Sequence, residues 1–173
     1  MPTNIEWKAR IRNATEQRRL VERLADGPAE ILEQLDTFFS VPKGRLKLRQ
    51  SNPGPAELIF YERSDQPAAK RSTYIRHFTD QPDELGELLA QALGVLGVVR
   101  KTRRLYLVGQ TRIHWDEVEG LGEYLEVEVV LRPDQSDEVG VQIAAELRQR
   151  LRVHEDDLIG LAYVDLLGEN AER

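Results

Sequence analysis

Apolar and polar residues alternate along most of this chain, which predicts a protein built mainly of strands. From Asn4 to Arg12, Ile5, Trp7, Ala9 and Ile11 share one face, and Asn4, Glu6, Lys8, Arg10 and Arg12 share the other. The same period of two runs through Arg45–Arg49, Glu57–Arg63, Lys70–Phe78, Val98–Val108, Thr111–Asp116 and Tyr124–Leu131. Ile31 to Val41 is expected to be a further strand with a less tidy alternation. Pro42-Lys43-Gly44, Ser51 to Pro55 and Gly109-Gln110 carry the residues of turns.

The period changes in three places. Asn13 followed by Glu16 resembles a capping box, and Leu20, Val21 and Leu24 then mark one side of a short helix ending at Gly27-Pro28. Pro82 to Leu96 has Pro82, Asp83 and Glu84 in a first turn and a stripe of Leu85, Leu88, Leu89, Ala92 and Leu93. Ser136 is expected to cap a helix from Asp137 to about Leu151, with Val139, Ile143, Ala144 and Leu147 inward. The remainder, through Leu158, Tyr163 and Leu167, is expected to form another short helix and a packed tail, and Gly168 to Arg173 a frayed end. The order predicts an α+β domain, residues 1–173, with seven or eight strands in a largely antiparallel sheet.

Composition narrows the function classes. The chain of 173 residues is 40% hydrophobic and 31% charged, suited to one core rather than two. With no cysteine, disulfides, thiolate nucleophiles and Cys-based metal sites are excluded. A net charge of −6 speaks against nonspecific binding to nucleic acid or anionic membranes. The N-terminus has no secretory pattern and no run approaches the ~20 apolar residues of a membrane span, so a cytoplasmic location is expected.

Against that acidic total, the charged strand faces are conspicuous. They collect Glu6, Lys8 and Arg10; Arg45, Lys47 and Arg49; Lys101 and Arg103; Arg112 and Asp116, with His114 between them; and Glu126 with Glu128. Rows of like charge on neighbouring strands are destabilising unless something neutralises them. A polyanion coordinated to a divalent cation would do so, its oxygens meeting the basic groups and the carboxylates holding the metal. Two arrangements fit: a half-open sheet with a solvated charged face, or a barrel with that face inside and helices covering its apolar exterior. His77 and His154 read as structural or surface groups.

The residues also carry a family resemblance. Asn4-Ile-Glu-Trp-Lys8, Asp36-Thr-Phe-Phe39, Gly44-Arg-Leu-Lys-Leu-Arg49, Lys70-Arg-Ser-Thr-Tyr74, Val99-Arg-Lys-Thr-Arg103 and Arg112 to Gly122, running into Glu126-Val-Glu128, occur in order over most of the chain. This set resembles the CYTH superfamily, the triphosphate tunnel metalloenzymes, and within it the class IV adenylate cyclase branch. The resemblance implies an eight-stranded antiparallel barrel enclosing a metal-bound triphosphate. It implies Glu6, Glu126 and Glu128 as ligands of Mg²⁺ or Mn²⁺, with Asp116 lining the same site and offered as a catalytic group. Lys8, Lys47, Arg49, Lys101, Arg103 and Arg112 would bind the triphosphate; Arg10, Arg45, Lys70, Ser72, Tyr74 and His114 are further substrate-binding candidates.

One position departs from the pattern: the first Glu of the family's Glu-x-Glu-x-Lys signature is Asn4 here. An amide oxygen can still coordinate but brings no charge, so metal affinity should fall. The implied activity is conversion of ATP to cyclic AMP and pyrophosphate. Hydrolysis of inorganic or another small triphosphate, and triphosphate binding without turnover, stay open beside it. The expected partners are a nucleoside triphosphate or inorganic triphosphate, without nucleic acid or membrane, and homodimerisation is left open.

Overall fold

The computed structural model describes residues 1–171, so Glu172 and Arg173, the last two residues of the expected frayed end, lie outside the described residues. Nine strands and four helices follow in the order β1 (Thr3–Arg10), α1 (Ala14–Leu24), β2 (Glu30–Phe39), β3 (Arg45–Asn52), β4 (Ala56–Arg63), β5 (Lys70–Thr79), α2 (Pro82–Leu93), β6 (Val95–Val108), β7 (Thr111–Val118), β8 (Gly122–Val130), α3 (Asp137–Arg150), β9 (Leu158–Ile159) and α4 (Tyr163–Ala171).

Two antiparallel meanders, β2-β3-β4-β5 and β6-β7-β8, join through the β2–β6 pair. β1 then closes the cylinder by pairing with β8 on one edge and β5 on the other. The β1–β5 pairing runs from Thr3 to Glu6, and at Lys8 and Ala9 the short strand β9 takes over that edge. Eight strands therefore form a closed antiparallel barrel, with β9 outside the circuit. Closure gives each of the eight strands a partner on both sides, although the β1–β5 seam is short, Thr3–Glu6 against Lys70–Thr73.

The barrel is apolar outside and charged inside. Ile5, Trp7, Ile113, Trp115, Leu125 and Val127 face outward and are fully buried. They meet Val21 of α1 and Ala144, Leu147 and Leu151 in and just after α3. Trp7 donates its indole N–H to the Ala144 carbonyl at 2.9 Å, which fixes the α3 backbone on the wall. Each such core side chain contributes roughly 1.5–3 kcal/mol of burial free energy, so the core lies between barrel and helices rather than within the barrel. A second cluster, including Phe38, Val99, Tyr124, Tyr163, Val164 and Leu166, closes one end of the barrel beneath α4.

Local signals explain most of the elements. Asn13 caps α1 by accepting from the Glu16 N–H at 3.1 Å. The β2–β3 turn needs Gly44, whose φ is +66° and where an added Cβ would stand 2.8 Å from the Tyr61 carbonyl oxygen.

Several expectations shift. α1 stops at Leu24, short of Gly27-Pro28, because Ala25 is already extended and Asp26 donates its N–H to Leu107 of β6. Ser136 occupies the N-cap of α3 without a side-chain capping bond; Asp137 and Glu138 face the helix dipole instead. Gly168 to Ala171 is the last turn of α4 rather than a frayed end. The predicted stripe of α2 is not buried: Leu88 is 62% exposed and Leu93 38%. The wall beside α2 includes β2, whose outer face carries Glu33 and Thr37 among its apolar positions, so it presents a thin apolar surface. α1 and α3 cover the main core, and α4 covers the second cluster.

Candidate functional site: a charged lumen sealed at one end

Alternation sends every second side chain of the eight strands into the barrel, where they line a cavity of about 400 Å³. That volume lies within the ~300–1,000 Å³ of ordinary small-ligand sites.

One wall is cationic and is assembled by Asp36 of β2. Its carboxylate accepts from Lys47 Nζ at 3.0 Å, Lys101 Nζ at 3.0 Å and Arg49 Nε at 2.7 Å. Asp36 is 1% exposed. Burial opposes its ionisation, but Arg49, Lys101 and Lys47 hold its pKa well below the usual range. One carboxylate thus faces three cations. Burial, together with the crowding of Arg49 and Arg103, lowers Lys101 to about 7 despite Asp36. Burial and Arg49 lower Lys47 to about 8. Both lysines sit where an added anion would restore their charge.

The opposite wall is acidic. Glu6 of β1 stands directly across from Glu128 of β8, and Lys8 across from Glu126. Glu126 Oε2 lies 3.7 Å from Lys8 Nζ and 3.9 Å from Arg103 Nη2. Glu128 Oε2 lies 3.0 Å from Arg112 Nη2. Burial and the nearby Glu126 and Glu128 raise Glu6 to about 7 even with Arg63 3.4 Å away. Burial and Glu126 likewise raise Glu128, whereas Lys8 and Arg103 hold Glu126 well below the usual range against its burial. The three carboxylates repel one another in a site that a hard divalent cation would relax, and their oxygens are donors suited to it. Glu126 and Glu128 bring oxygens suited to the metal that the resemblance implies, within 4.8 Å of each other and of a ring nitrogen of His114; Glu6 faces them across the β1–β8 pair but is not part of that close group.

His114 of β7 lies beside them, 3.9 Å from an oxygen of each of Glu126 and Glu128 through Nδ1, which has no hydrogen-bond partner. Its pKa is pushed well below the usual value, first by burial and then by Arg103.

Asp116 does not fit beside them. Arg103 donates to both its oxygens at 2.7 Å and the Tyr163 hydroxyl adds a third bond at 2.8 Å. Burial alone would raise its pKa, but Arg103 brings it down to about 2. Asp116 is fully buried and does not line the cavity, so it anchors Arg103 and α4 instead of meeting a ligand.

Three other candidates also lie off the cavity lining. Arg10 is exposed at the end of β1. Arg45 binds Asp165 at 2.7 Å and Asp65 at 3.0 Å, holding the start of α4. Lys70 donates to the carbonyls of Gln66 and Gly160, at 3.0 and 2.9 Å, pinning the chain after β9. The structure brings Lys8, Lys47, Arg49, Lys101, Arg103, Arg112, Ser72, Tyr74 and His114 together in the lumen.

Sequence reasoning placed Asp36 in a family-matching stretch without giving it a role, and passed over Arg63 and Tyr163. Asp36 shares an inward face with Gln34 and Phe38, a mixture that hid its role. Arg63 ends a strand face that begins with Glu57, Ile59 and Tyr61, again without a run of like charge. Tyr163 arrives from α4, far along the chain, and no local pattern announces it.

The two ends of the lumen differ. Tyr163 and Ala162 close the end beneath α4, and Lys8 Nζ rests 3.9 Å from the Tyr163 ring centroid. The opposite end is lined by Leu32, Leu105, Phe78 and the Pro53-Gly54-Pro55 turn.

A closed antiparallel β-tunnel with one cationic and one acidic wall defines the class of protein. The CYTH domain model matches residues 2–163, and the chain belongs to that family. No curated protein sequence matches it. Among solved structures, the PH1012 protein of Pyrococcus horikoshii is 27% identical, with a TM-score of 0.84, over 94% of this chain and 98% of its own. A Vibrio parahaemolyticus protein described as a candidate adenylate cyclase is 20% identical, with a TM-score of 0.78, over 95% and 97%. A candidate adenylyl cyclase from Hippeastrum, described as having a dominant triphosphatase activity, is 15% identical, with a TM-score of 0.64, over 98% and 96%. The last two likenesses are of fold.

Proposed function

We propose that the protein is a metal-dependent enzyme that acts on a nucleoside triphosphate inside the barrel, converting ATP to cyclic AMP and pyrophosphate. The observation that carries this reading is the pairing of walls: Lys47, Arg49 and Lys101 crowd one carboxylate, while Glu6, Glu126 and Glu128 crowd one another. A triphosphate with a divalent cation answers both imbalances at once.

With α4 sealing the far end, the phosphates enter first and the nucleoside stays at the mouth. Lys47, Arg49 and Lys101 take phosphate oxygens, joined by Arg103 and Arg112, which Asp116 and Glu128 hold in place. Leu32, Leu105, Phe78 and the proline turn offer an apolar rim to ribose and base. Glu126 and Glu128, with Glu6 facing them, would hold Mg²⁺ or Mn²⁺, which would supply charge neutralisation at the phosphate oxygens. The basic groups align the chain for attack of the ribose 3′-oxygen on the α-phosphorus; the bond to the bridging oxygen breaks and pyrophosphate leaves. The 3′-proton passes to lumen water, since Asp116 is committed to Arg103 and Tyr163. The substrate class goes with a cytoplasmic location.

The same lack of a dedicated proton acceptor for the ribose supports a second reading, hydrolysis of a triphosphate by water in the same tunnel. The dominant triphosphatase activity described for the Hippeastrum relative is in keeping with it.

One assay tests both. The protein is incubated with Mn²⁺ or Mg²⁺ and either ATP or inorganic triphosphate, and cyclic AMP, pyrophosphate and phosphate are resolved. Cyclic AMP with equimolar pyrophosphate is expected. Phosphate without cyclic AMP establishes the second reading, and triphosphate binding without turnover overturns the assignment as an enzyme.

A further inference from the structure

The acidic wall has a feature that carboxylate repulsion alone does not explain. Glu126 gives Oε2 to Lys8 and Arg103, and Glu128 gives Oε2 to Arg112. In each case the other oxygen, Oε1, turns toward His114 and stops 3.9 Å from its Nδ1. That separation is too long for a hydrogen bond. His114 is 3% exposed, yet Nδ1 has no partner. An unpartnered buried polar atom is costly and is normally avoided.

Register explains how the three atoms meet. His114 on β7 is paired directly with Glu126 on β8, and Glu128 is the next inward residue along the same strand. One ligating atom from each of His114, Glu126 and Glu128 lies within 4.8 Å of the others. Around a divalent cation with bonds of about 2.1 Å, ligand atoms stand about 3 Å apart when adjacent and about 4.2 Å when opposite. Small side-chain movements would bring the observed spacings into that range.

We propose that His114 Nδ1 is a direct ligand of the divalent cation, together with Glu126 Oε1 and Glu128 Oε1, and that this nitrogen makes the site favour Mn²⁺ over Mg²⁺. The inference rests on the reading that the lumen holds a cation, and adds to it the identity of a ligand and a metal preference. Mg²⁺ selects oxygen ligands and gives up its waters reluctantly. An imidazole nitrogen suits first-row transition cations better, so replacing one oxygen position by nitrogen shifts the balance toward them. The other two histidines cannot supply this nitrogen: His77 is exposed on β5 and His154 is exposed after α3.

The test is pulsed electron paramagnetic resonance of the full-length protein loaded with Mn²⁺ alone, and then with Mn²⁺ and inorganic triphosphate. Coupling of the bound Mn²⁺ to a directly coordinated imidazole nitrogen is expected in the wild type and is lost in His114→Gln. In competition titrations, the same substitution should reduce the preference for Mn²⁺ over Mg²⁺ by roughly tenfold. Circular dichroism of the variant checks that the barrel is retained, and the wild-type spectrum needs no variant. Bound Mn²⁺ without nitrogen coupling, or with coupling that persists in His114→Gln, overturns the ligand assignment and leaves the cation reading intact. No Mn²⁺ binding, with or without triphosphate, overturns both.

Discussion

At the residue scale, Asp36 is the keystone of the cationic wall. It is 1% exposed and holds Lys47, Arg49 and Lys101, which without it would crowd one another on the same wall. Removing one member of a buried ion cluster leaves the rest uncompensated and costs roughly 3–5 kcal/mol. Asp36→Asn is therefore expected to lower stability by that order in urea unfolding, with part of the loss recovered when inorganic triphosphate is added, since the ligand binds only the folded state. The two lysines lead to a pH prediction. In the free protein, burial lowers Lys101 to about 7 and Lys47 to about 8. A bound polyanion favours their charged forms and raises both, so binding takes up protons between pH 7 and 9. Because the complex holds more protons than the free protein, triphosphate affinity falls as pH rises through that window. Calorimetric titration in buffers of different ionisation enthalpy measures the uptake; proton release, or none, would contradict the assigned wall.

At the element scale, strands were legible in the chain and their partners only in part. Alternation identified β1, β7 and β8 because one face of each is buried against helices and the other is strongly charged, which keeps the period of two clean. β9 has two residues, too short for any period, and forms only because β1 offers an unpaired edge beyond Glu6. α2 shows the opposite failure: its apolar stripe is real, but a helical stripe says nothing about how much wall lies beneath it. For the site, runs of like charge announced Lys47, Arg49, Lys101 and Arg103, whereas Asp36, Arg63 and Tyr163 needed the tertiary register. Asp116 was legible as an inward carboxylate, but its capture by Arg103 and Tyr163 was not. α4 supplies that last contact. Tyr163→Phe removes one bond to a charged acceptor and should cost about 1.5–3 kcal/mol, read as a lower thermal midpoint. It leaves the Arg103–Asp116 pair intact, so substrate affinity should change little; an equal loss of affinity would mean that Tyr163 meets the ligand.

At the scale of the whole molecule, the fold inverts the usual arrangement. The core lies between the barrel and α1 and α3, and the barrel interior is given over to charge. In a chain with a net charge of −6, that concentration of lysine and arginine is a local feature of the lumen rather than of the surface. Among the described residues no helix is long and apolar enough to cross a membrane. In the proposed function, cation and triphosphate meet against the acidic wall. The most direct measurement is turnover of ATP and of inorganic triphosphate by the wild type and by the Glu126→Gln, Glu128→Gln double variant at saturating Mn²⁺. A loss of at least about a hundredfold is expected, as for removal of a principal electrostatic contributor, with the barrel's circular dichroism unchanged. Wild-type turnover in the double variant would contradict it.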